Sequence, residues 1–315
     1  MMIRKSSLMA AALSAALFMG CAQTAEPVAE TATMQTEADV AISLNIEEAR
    51  VSFLGPEGTY TQEACESFFG EGEFIPYESV PDAVAALIDG ESEFAVIPQE
   101  NTIGGAVIDY VDVLIANPDV SVVGEVELTI NQNLLVMPGA SLDDITTVYS
   151  HRQGITQGQE WLDTNLPNAE VIEVSSTAEG ARMVAEGGDP SCAAICSAGC
   201  ADVYGLEVLA SAIQNNSNNR TRFYVLSCEE ALTNEAGRLA FIAAGSASEL
   251  PDLLASIDSA GATLITIHDR PLKTELGEYN YVIECEGLTY EEYCQIASDS
   301  TLEFRFLGSF NSISN

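Results

Sequence analysis

Four consecutive residues in the second half of the chain combine two cations, a hydroxyl and an aromatic ring. They are Arg220, Thr221, Arg222 and Phe223, and Asn219 precedes them. A guanidinium group binds a carboxylate through parallel hydrogen bonds, so this run is suited to an anionic ligand. Ion pairs with neighbouring acidic residues are the alternative. In a strand Thr221 and Arg222 would face opposite sides, so only an irregular backbone would let both bind one ligand.

Two further groups of polar residues follow predicted strands. Asn101 and Thr102 follow one apolar run, and His151 and Gln153 flank Arg152 after another. Ligands of open α/β sheets bind at the carboxyl ends of strands, which favours a polar pocket here. Loop capping is the alternative for Asn101 and Thr102, and a satisfied loop histidine is the alternative for His151.

A glycine-rich turn from Gly55 to Gly58 leads into a predicted helix that begins near Thr59. Unpaired backbone N–H groups and the helix dipole attract an anion at such a position. The alternative is an ordinary tight turn in which Thr59 is the N-cap.

The charge of the chain excludes several classes of partner. Its 315 residues include 48 Asp and Glu but only 11 Lys and Arg, which gives a formal net charge of -37. Such a charge repels nucleic acid and anionic lipid, so we expect no nucleic-acid partner. The length and the 47% hydrophobic content predict two folded domains under an acidic, soluble surface.

The N-terminus has the pattern of an export signal. Arg4 and Lys5 precede an apolar stretch within residues 1–20, and Cys21 follows. This pattern predicts a cleaved signal peptide with a lipidated Cys21, and a plain cleaved signal is the alternative. Residues 21–47 predict a flexible tether. We therefore expect a lipoprotein on the outer face of the cytoplasmic membrane or in the periplasm, or a cytoplasmic protein if the signal is not used.

Three cysteines, Cys192, Cys196 and Cys200, recur every four residues. This spacing predicts a single stripe on a buried helix. A metal site would bring a histidine or a closer cysteine pair, so we predict none.

From residue 50 the chain alternates short β-branched runs with Ala-rich helical stretches, which predicts an α/β fold with mostly parallel sheets. Two such series, 50–130 and 131–209, predict two lobes with a cleft between them. After a linker near residues 229–237, the order of elements becomes βαββαβ, which is ferredoxin-like.

Five blocks, in order, resemble the prephenate dehydratase family. They are Gly55-Pro-Glu-Gly-Thr-Tyr-Thr61, Pro98-Gln-Glu-Asn-Thr-Ile-Gly-Gly-Ala-Val107, Ser150-His-Arg-Gln153, Ser176-Thr-Ala178 and Asn219-Arg-Thr-Arg-Phe223. With the C-terminal part, the resemblance extends from residue 50 to 312. It implies a two-lobed catalytic domain similar to periplasmic binding proteins over residues 48–228, with the second lobe at about 131–209, and no cofactor.

The resemblance also implies an activity and a set of site residues. The activity is the removal of carbon dioxide and water from prephenate to give phenylpyruvate. Arg222 would bind the carboxylate that is retained, and Thr221 would donate to the leaving hydroxyl. Asn101, Thr102 and Gln153 would orient the substrate. The other substrate-binding residues implied are Phe223, His151, Glu100, Gly104, Thr59 and Thr177.

Residues 238–312 resemble the ACT regulatory domain that binds phenylalanine in this family. The implied regulatory residues are Leu250, His268, Asp269, Arg270 and Pro271. His268 and Asp269 replace the family's Glu-Ser, and Leu250 ends Ser-Glu-Leu where the family has Gly-Ala-Leu. These departures predict that phenylalanine is at most a weak effector. The resemblance also implies a homodimer or homotetramer.

Two alternatives remain at this point. One is an exported binding protein for aromatic acids, since the fold resembles that of exported receptors. The other is an arogenate dehydratase. Retention of Thr221 and of the pair Asn101 and Thr102 favours an enzyme.

Overall fold

The computed structural model describes residues 49–229 and 237–314. The predicted signal peptide, Cys21 and the tether lie outside these residues, as does most of the predicted linker. Within the two described segments, no helix has both the length and the hydrophobicity needed to cross a bilayer.

The first lobe is built on a seven-stranded mixed sheet with three helices. Strands and helices are numbered in chain order: β1 (Arg50–Leu54), α1 (Tyr60–Phe69), β2 (Glu73–Tyr77), α2 (Val80–Ile88), β3 (Phe94–Asn101), β4 (Gly105–Ala106), α3 (Ile108–Ala116), β5 (Ser121–Thr129), β11 (Arg220–Ser227) and β16 (Ser312–Ser314). The strand order is β16-β5-β11-β3-β1-β2, and β4 pairs with β3. Strand β11 is antiparallel to both of its neighbours, β3 and β5.

The second lobe contains a five-stranded sheet and three helices. Its elements are β6 (Asn133–Val136), β7 (Thr147–Ser150), α4 (Arg152–Asn165), β8 (Glu170–Glu173), α5 (Thr177–Gly187), β9 (Cys192–Cys196), α6 (Gly199–Tyr204) and β10 (Glu207–Ala210), with a 3-10 turn at Leu142–Asp144. The order is β10-β6-β9-β7-β8. The chain crosses between the lobes twice, after β5 and before β11.

Local sequence explains where the helices begin and end. Ser79 caps α2 by accepting a hydrogen bond from the Asp82 N–H, and a proline stands in its first turn. Ser176 caps α5 in the same way, through the Glu179 N–H. Gly188 ends α5 in the left-handed conformation, which glycine adopts without steric cost.

Two expectations from the sequence are wrong. Both sheets are mixed rather than mostly parallel, because β11 and β6 each run antiparallel to their neighbours. The cysteines do not form a helical stripe. Cys192 and Cys196 are the first and last residues of strand β9, and Cys200 lies in α6. The segment between them is a buried strand hydrogen-bonded to β6 and β7, so tertiary pairing outweighs a four-residue spacing.

The C-terminal domain has the predicted βαββαβ order. It comprises β12 (Arg238–Ser246), α7 (Leu250–Ser259), β13 (Thr263–Pro271), β14 (Glu278–Glu286), α8 (Tyr290–Asp299) and β15 (Glu303–Phe310). Its antiparallel sheet has the order β13-β14-β12-β15, as in a ferredoxin-like fold. Phe241, Ile283 and Leu253 belong to the core between this sheet and its helices.

The ferredoxin-like sheet also packs against the first lobe through a shared core. Tyr110 and Tyr224 of the first lobe belong to the same buried cluster as Ile242 and Phe310 of the ferredoxin-like domain. Beyond β15, the chain returns to the first lobe, where β16 pairs in parallel with β5. The predicted fold class, a two-lobed α/β domain followed by a ferredoxin-like domain, is thereby confirmed.

Candidate active site

A cavity of about 860 Å³ lies between residues of the two lobes. This volume is within the usual range for small-molecule sites. Six of the residues predicted from the sequence line it: Thr59, Asn101, His151, Gln153, Thr177 and Thr221. They come from both lobes, so the fold brings together groups that are up to 162 residues apart in the chain.

The amide of Asn101 is the centre of a hydrogen-bond network at the cavity wall. Its Oδ1 accepts from the backbone N–H groups of Ile103 and Gly104, at 3.0 and 2.8 Å, and from Gln153 Nε2 at 3.3 Å. Its Nδ2 donates to Asn219 Oδ1 at 2.8 Å and to Thr221 Oγ1 at 2.9 Å. Two backbone donors at Oδ1 fix which end of the amide faces Thr221.

The network continues through amides that sequence reasoning did not assign. Asn219 donates to Gln157 Oε1 at 3.1 Å, and Gln132 donates to the same oxygen at 2.9 Å. All three side chains are buried and border the cavity. Gln132 and Asn219 lie on the two segments that cross between the lobes, so the network connects both crossings to α4. The four-residue spacing of Gln153 and Gln157 on one helix face was a signal for part of it.

Three helices begin at the cavity. Thr59, His151 and Ser176 are the N-cap residues of α1, α4 and α5, and residues of each first turn line the wall. First-turn N–H groups have no partner within their helix. Together with the positive ends of three helix dipoles, they form an environment that favours an anion.

No lysine or arginine is among the cavity-lining residues of the described chain. Two carboxylates, Glu78 and Glu179, do line it. Hydrogen bonds from Arg182, at 2.7 and 2.8 Å, lower the pKa of Glu179. Anion binding in this cavity therefore depends on backbone N–H groups and neutral side chains.

The second lobe holds the glycine-rich turn of the first. The Gly58 carbonyl accepts hydrogen bonds from Ser197 Oγ at 2.5 Å and from Cys200 Sγ at 3.1 Å, and Tyr204 donates to the Glu57 carbonyl at 3.0 Å. A Cβ atom on Gly58 would lie 2.9 Å from Cys200 Sγ, and its φ is +82°. A side chain at this position would therefore separate the lobes at the cavity.

Arg222 and Glu100 do not reach the cavity, which corrects their assignment to substrate binding. Arg222 Nη2 is 2.6 Å from Glu100 Oε2, and its Nη1 is 3.4 Å from Glu125 and 3.2 Å from Glu284. Strand alternation along β11 turns Arg222 away from Thr221. The backbone between Thr221 and Arg222 has regular strand pairing, so these two side chains do not turn toward one ligand.

Three other predicted residues also lie outside the cavity wall. The Thr102 hydroxyl donates to the Asn218 carbonyl at 3.1 Å and accepts from the Arg220 N–H at 3.0 Å, so it supports the crossing segment. Gly104 contributes its N–H to Asn101. Phe223 is 2% exposed and belongs to the core. These three positions support neighbouring residues of the site and do not line the cavity.

The predicted regulatory residues lie at one end of the ferredoxin-like sheet. Gly245 and Pro271 each pair with Tyr279, on opposite sides of strand β14. Gly245 is close in the chain to Leu250, the first residue of α7. Two of the set, His268 and Arg270, contact helix α3 of the first lobe, whereas Asp269 and Pro271 are exposed. His268 is hydrogen-bonded to the Tyr110 hydroxyl, and Arg270 forms two bonds to Asp112, at 2.5 and 2.7 Å. Burial lowers the pKa of His268.

Comparison with known proteins identifies the family. The family model for prephenate dehydratase matches residues 51–231. The bifunctional chorismate mutase/prephenate dehydratase of Neisseria gonorrhoeae is 36% identical over 250 residues, which cover 78% of this chain and 69% of that protein. The prephenate dehydratase of Corynebacterium glutamicum is 33% identical over 248 residues, covering 75% and 78%.

The fold is that of a solved family member. The structure of prephenate dehydratase from Arthrobacter aurescens in complex with L-Phe has a TM-score of 0.73 and 30% identity, covering 83% of this chain and 90% of that one. The family model spans both lobes, and the structural match extends over most of the remaining residues. The cavity, its polar network and these matches agree, and the chain belongs to the prephenate dehydratase family.

Proposed function

We propose that the cavity between the lobes binds prephenate and converts it to phenylpyruvate. In this reaction the bond between the ring carbon and its carboxylate breaks, and carbon dioxide leaves. The electron pair enters the ring, which becomes aromatic as the opposite carbon–oxygen bond breaks. The departing hydroxyl takes up a proton and leaves as water. The site must therefore supply a donor at that hydroxyl and hold the carboxylate that remains.

Thr221 is the proposed donor, and one observation carries this assignment. The Asn101 amide is fixed by its backbone donors, so its N–H group donates to Thr221 Oγ1 at 2.9 Å. Because Thr221 Oγ1 uses a lone pair to accept this bond, its O–H group is available to donate into the cavity. A threonine hydroxyl is a weak acid, so it acts by donating within the network rather than by surrendering its proton alone.

The first turns of α4 and α5 are proposed to bind the retained carboxylate. Residues of these first turns line the cavity, whose lining in the described part of the chain includes no lysine or arginine, and Gln153 and Thr177 add neutral donors there. This arrangement takes over the part that the sequence had assigned to Arg222. His151 is engaged at Nδ1 by the Gln153 N–H, which orients its ring at the same wall.

The test is direct assay of the full-length protein with prephenate. Phenylpyruvate is followed by its absorbance in alkali, with an enzyme-free sample to subtract spontaneous conversion. We expect turnover in the parent protein and its loss in both Thr221→Ala and Asn101→Ala. Turnover at the parental rate in both variants would exclude this network as the catalytic site.

One feature of the cavity favours arogenate as a second substrate. Arogenate carries an ammonium group where prephenate carries a keto group, and the Glu78 carboxylate lines the cavity. An opposite charge would attract this ammonium group. Glu78→Gln should lower kcat/KM for arogenate more than for prephenate. Equal changes for the two substrates would remove Glu78 from substrate selection.

Export of the protein is proposed from the sequence of residues 1–21. The basic start, the apolar stretch and Cys21 support cleavage and lipidation. Labelling of cells with a palmitate analogue should mark the parent protein but not Cys21→Ala. An unlabelled, unprocessed parent protein in the cytosol would contradict the proposal.

Phenylalanine is the proposed effector of residues 238–312, which have the order of an ACT domain. The Arthrobacter aurescens relative was solved in complex with L-Phe, and this supports the proposal. The substitutions at His268 and Asp269 support weak binding.

We also propose a dimer or tetramer formed through residues 238–312, which light scattering coupled to size-exclusion chromatography would test. A monomer at micromolar concentration would exclude it.

A further inference from the structure

A buried ionic cluster lies where the first-lobe sheet meets the ferredoxin-like domain. It consists of Glu100, Glu125 and Arg222 from the first lobe, and of Arg238 and Glu284 from the ferredoxin-like domain, and we call it the interdomain cluster. The Arg222 side chain is 12% exposed, and the side chains of Glu125 and Glu284 are fully buried. Buried charges require partners, so these five groups depend on one another.

Glu284 is the carboxylate that the ferredoxin-like domain inserts into this cluster. Its Oε1 accepts from Arg238 at 2.6 Å and from Arg222 at 3.2 Å. Its Oε2 accepts from the Tyr224 hydroxyl at 2.6 Å and from Gln99 Nε2 at 3.0 Å. Three of the four donors therefore belong to the first lobe, on strands β3 and β11.

The first-lobe donors lie close to the proposed catalytic pair on the same two strands. In the β3–β11 ladder, Thr221 pairs with Asn101, and Arg222 pairs with Glu100. The register then shifts, because Phe223 pairs with Pro98 and leaves Gln99 as a bulge. A bulge redirects the side chains beside it. The bulged Gln99 is held by Glu284, and so is Arg222, the residue next to Thr221.

We propose that Glu284 is a positioning residue for the dehydration, acting from the ferredoxin-like domain through Arg222 and Gln99. By holding both residues, it fixes the bulge and the strand ends that present Thr221 and Asn101 to the cavity. The inference rests on the proposed function of that pair. It makes the geometry of the catalytic donor depend on how the ferredoxin-like domain sits on the first lobe.

The competing interpretation is that Glu284 only attaches one domain to the other. Loss of an attachment would lower stability, but each folded molecule would keep its kcat. Loss of a positioning contact would lower kcat in the folded protein and leave KM nearly unchanged, because the substrate-binding helices of the second lobe are not involved.

The test compares full-length Glu284→Gln with the parent protein and with Glu286→Gln. Glu286 is on the same strand, its carboxylate is 3.8 Å from Arg238, and its side chain is 58% exposed. We expect Glu284→Gln to lower kcat about tenfold, with KM within about threefold, as loss of a hydrogen bond between charged groups would produce. Glu286→Gln should match the parent protein in both constants.

A double-mutant cycle separates positioning from attachment. Thr221→Ala should reduce kcat less in the Glu284→Gln background than in the parent, because the donor is already displaced. Additive effects would mean that Glu284 does not act through Thr221 and would overturn the proposal. If Glu284→Gln does not fold, Gln99→Met decides the matter, since it removes the Gln99 amide that Glu284 holds and keeps a side chain of similar length. A parental kcat in that variant would likewise overturn it.

The remaining outcomes distinguish this inference from the proposed function. Parental kcat in folded Glu284→Gln, with activity lost in Thr221→Ala, would refute the inference and leave the catalytic site intact. Parental activity in Thr221→Ala would instead remove the proposed function itself.

Discussion

The hydroxyls of Thr221 and Thr102 belong to the same hydrogen-bond network but have different surroundings. Thr221 lines the cavity, whereas Thr102 bonds to the crossing segment at Asn218 and Arg220. Thr221→Ala should lower kcat by about two to four orders of magnitude with little change in KM, the effect of losing a positioned donor. Steady-state kinetics with prephenate will measure it.

Thr102→Ala is the matched control. It should lower the free energy of unfolding by about 1 kcal/mol, through lost hydrogen bonds, and keep most of the parental kcat. Thr221→Ser, which retains a hydroxyl, should also keep much of it. If the two alanine variants had the same kcat, the distinction between the two hydroxyls would be wrong.

Glu125 is expected to make the folded protein less stable as the pH rises, the opposite of the usual effect of a carboxylate. Burial and the neighbouring Glu284 raise the pKa of Glu125 from 4.5 to about 7. The folded protein therefore holds this proton more tightly than the unfolded chain does. The stability that this bound proton contributes is complete below pH 4.5 and is lost as the pH rises through about 7.

Glu125→Gln mimics the protonated side chain, so its effect should depend on pH. We expect it to raise the melting temperature at pH 8, where the parent protein carries a charged Glu125, and to change it little at pH 5. Thermal unfolding of both proteins at the two pH values will measure this difference. An equal difference at both pH values would show that Glu125 does not titrate between them.

The sequence predicted the role of a single residue well only when its partners are close to it in the chain. Strand alternation indicated that Thr221 and Arg222 face opposite sides, and the structure has this arrangement. The partner that holds Arg222, Glu284, is 62 residues further along the chain. No local pattern indicates such a contact, so the sequence could not tell an ion pair from a substrate contact.

At the scale of helices, the cavity depends on how closely α4 approaches its neighbours. A Cβ atom on Gly154, in the first turn, would lie 2.5 Å from Ser150 Oγ and 3.2 Å from Thr177 Cγ2. Gly154→Ala should displace the start of α4 from the start of α5. We expect a higher KM for prephenate and a loss of about 1–3 kcal/mol in stability, as for other overpacked sites.

Gly187→Ala provides the control within the same lobe. Nothing lies within 4 Å of a Cβ atom at this position, and alanine favours a helix over glycine. This variant should keep its KM and gain up to about 1 kcal/mol. An unchanged KM in Gly154→Ala as well would show that the first turn of α4 does not contact the substrate.

The sequence predicted the alternation of strands and helices but not the directions of the strands. The caps and apolar faces of α2 and α5 are local features, so their positions could be read directly. The direction of β11 could not, because an antiparallel strand inserted between β3 and β5 follows only from the return of the chain after the second lobe. The cysteine spacing around β9 misled for the same reason, since pairing partners outweighed local periodicity.

At the scale of the whole molecule, the ferredoxin-like domain approaches the first lobe without space for a side chain at Gly308. A Cβ atom there would lie 2.0 Å from the Val122 carbonyl oxygen, and the φ of Gly308 is +152°. Gly308→Ala should lower the free energy of unfolding by at least about 3 kcal/mol, through both backbone strain and displacement of β15 from β5. Chemical denaturation will measure it.

Gly237→Ala is the corresponding control at the start of the same domain. The nearest atom to its Cβ would be Asn311 Oδ1 at 3.9 Å, an ordinary contact. Stability close to that of the parent protein is expected there. A well-folded, fully stable Gly308→Ala protein would mean that the two sheets can separate without cost.

Phenylalanine binding is expected to compete with the contacts between the ferredoxin-like domain and α3. Arg270 forms a bidentate pair with Asp112, and His268 is bonded to Tyr110, so both side chains are engaged by the first lobe. A phenylalanine carboxylate that uses Arg270 must first displace Asp112. Because the substitutions at His268 and Asp269 alter two further contacts of the family's site, the dissociation constant should be near millimolar.

Calorimetric titration of the full-length protein tests this competition. Asp112→Asn removes the charge that holds Arg270, and a partly exposed ion pair of this kind contributes about 0.2–1 kcal/mol. The variant should therefore bind phenylalanine up to about fivefold more tightly than the parent protein. Asp109→Asn, one turn earlier on the same helix, removes a nearby charge that forms no hydrogen bond to Arg270 and should change the affinity less. A parental dissociation constant in the low micromolar range would show that Arg270 does not have to leave Asp112, and that the substituted turn still recognises phenylalanine.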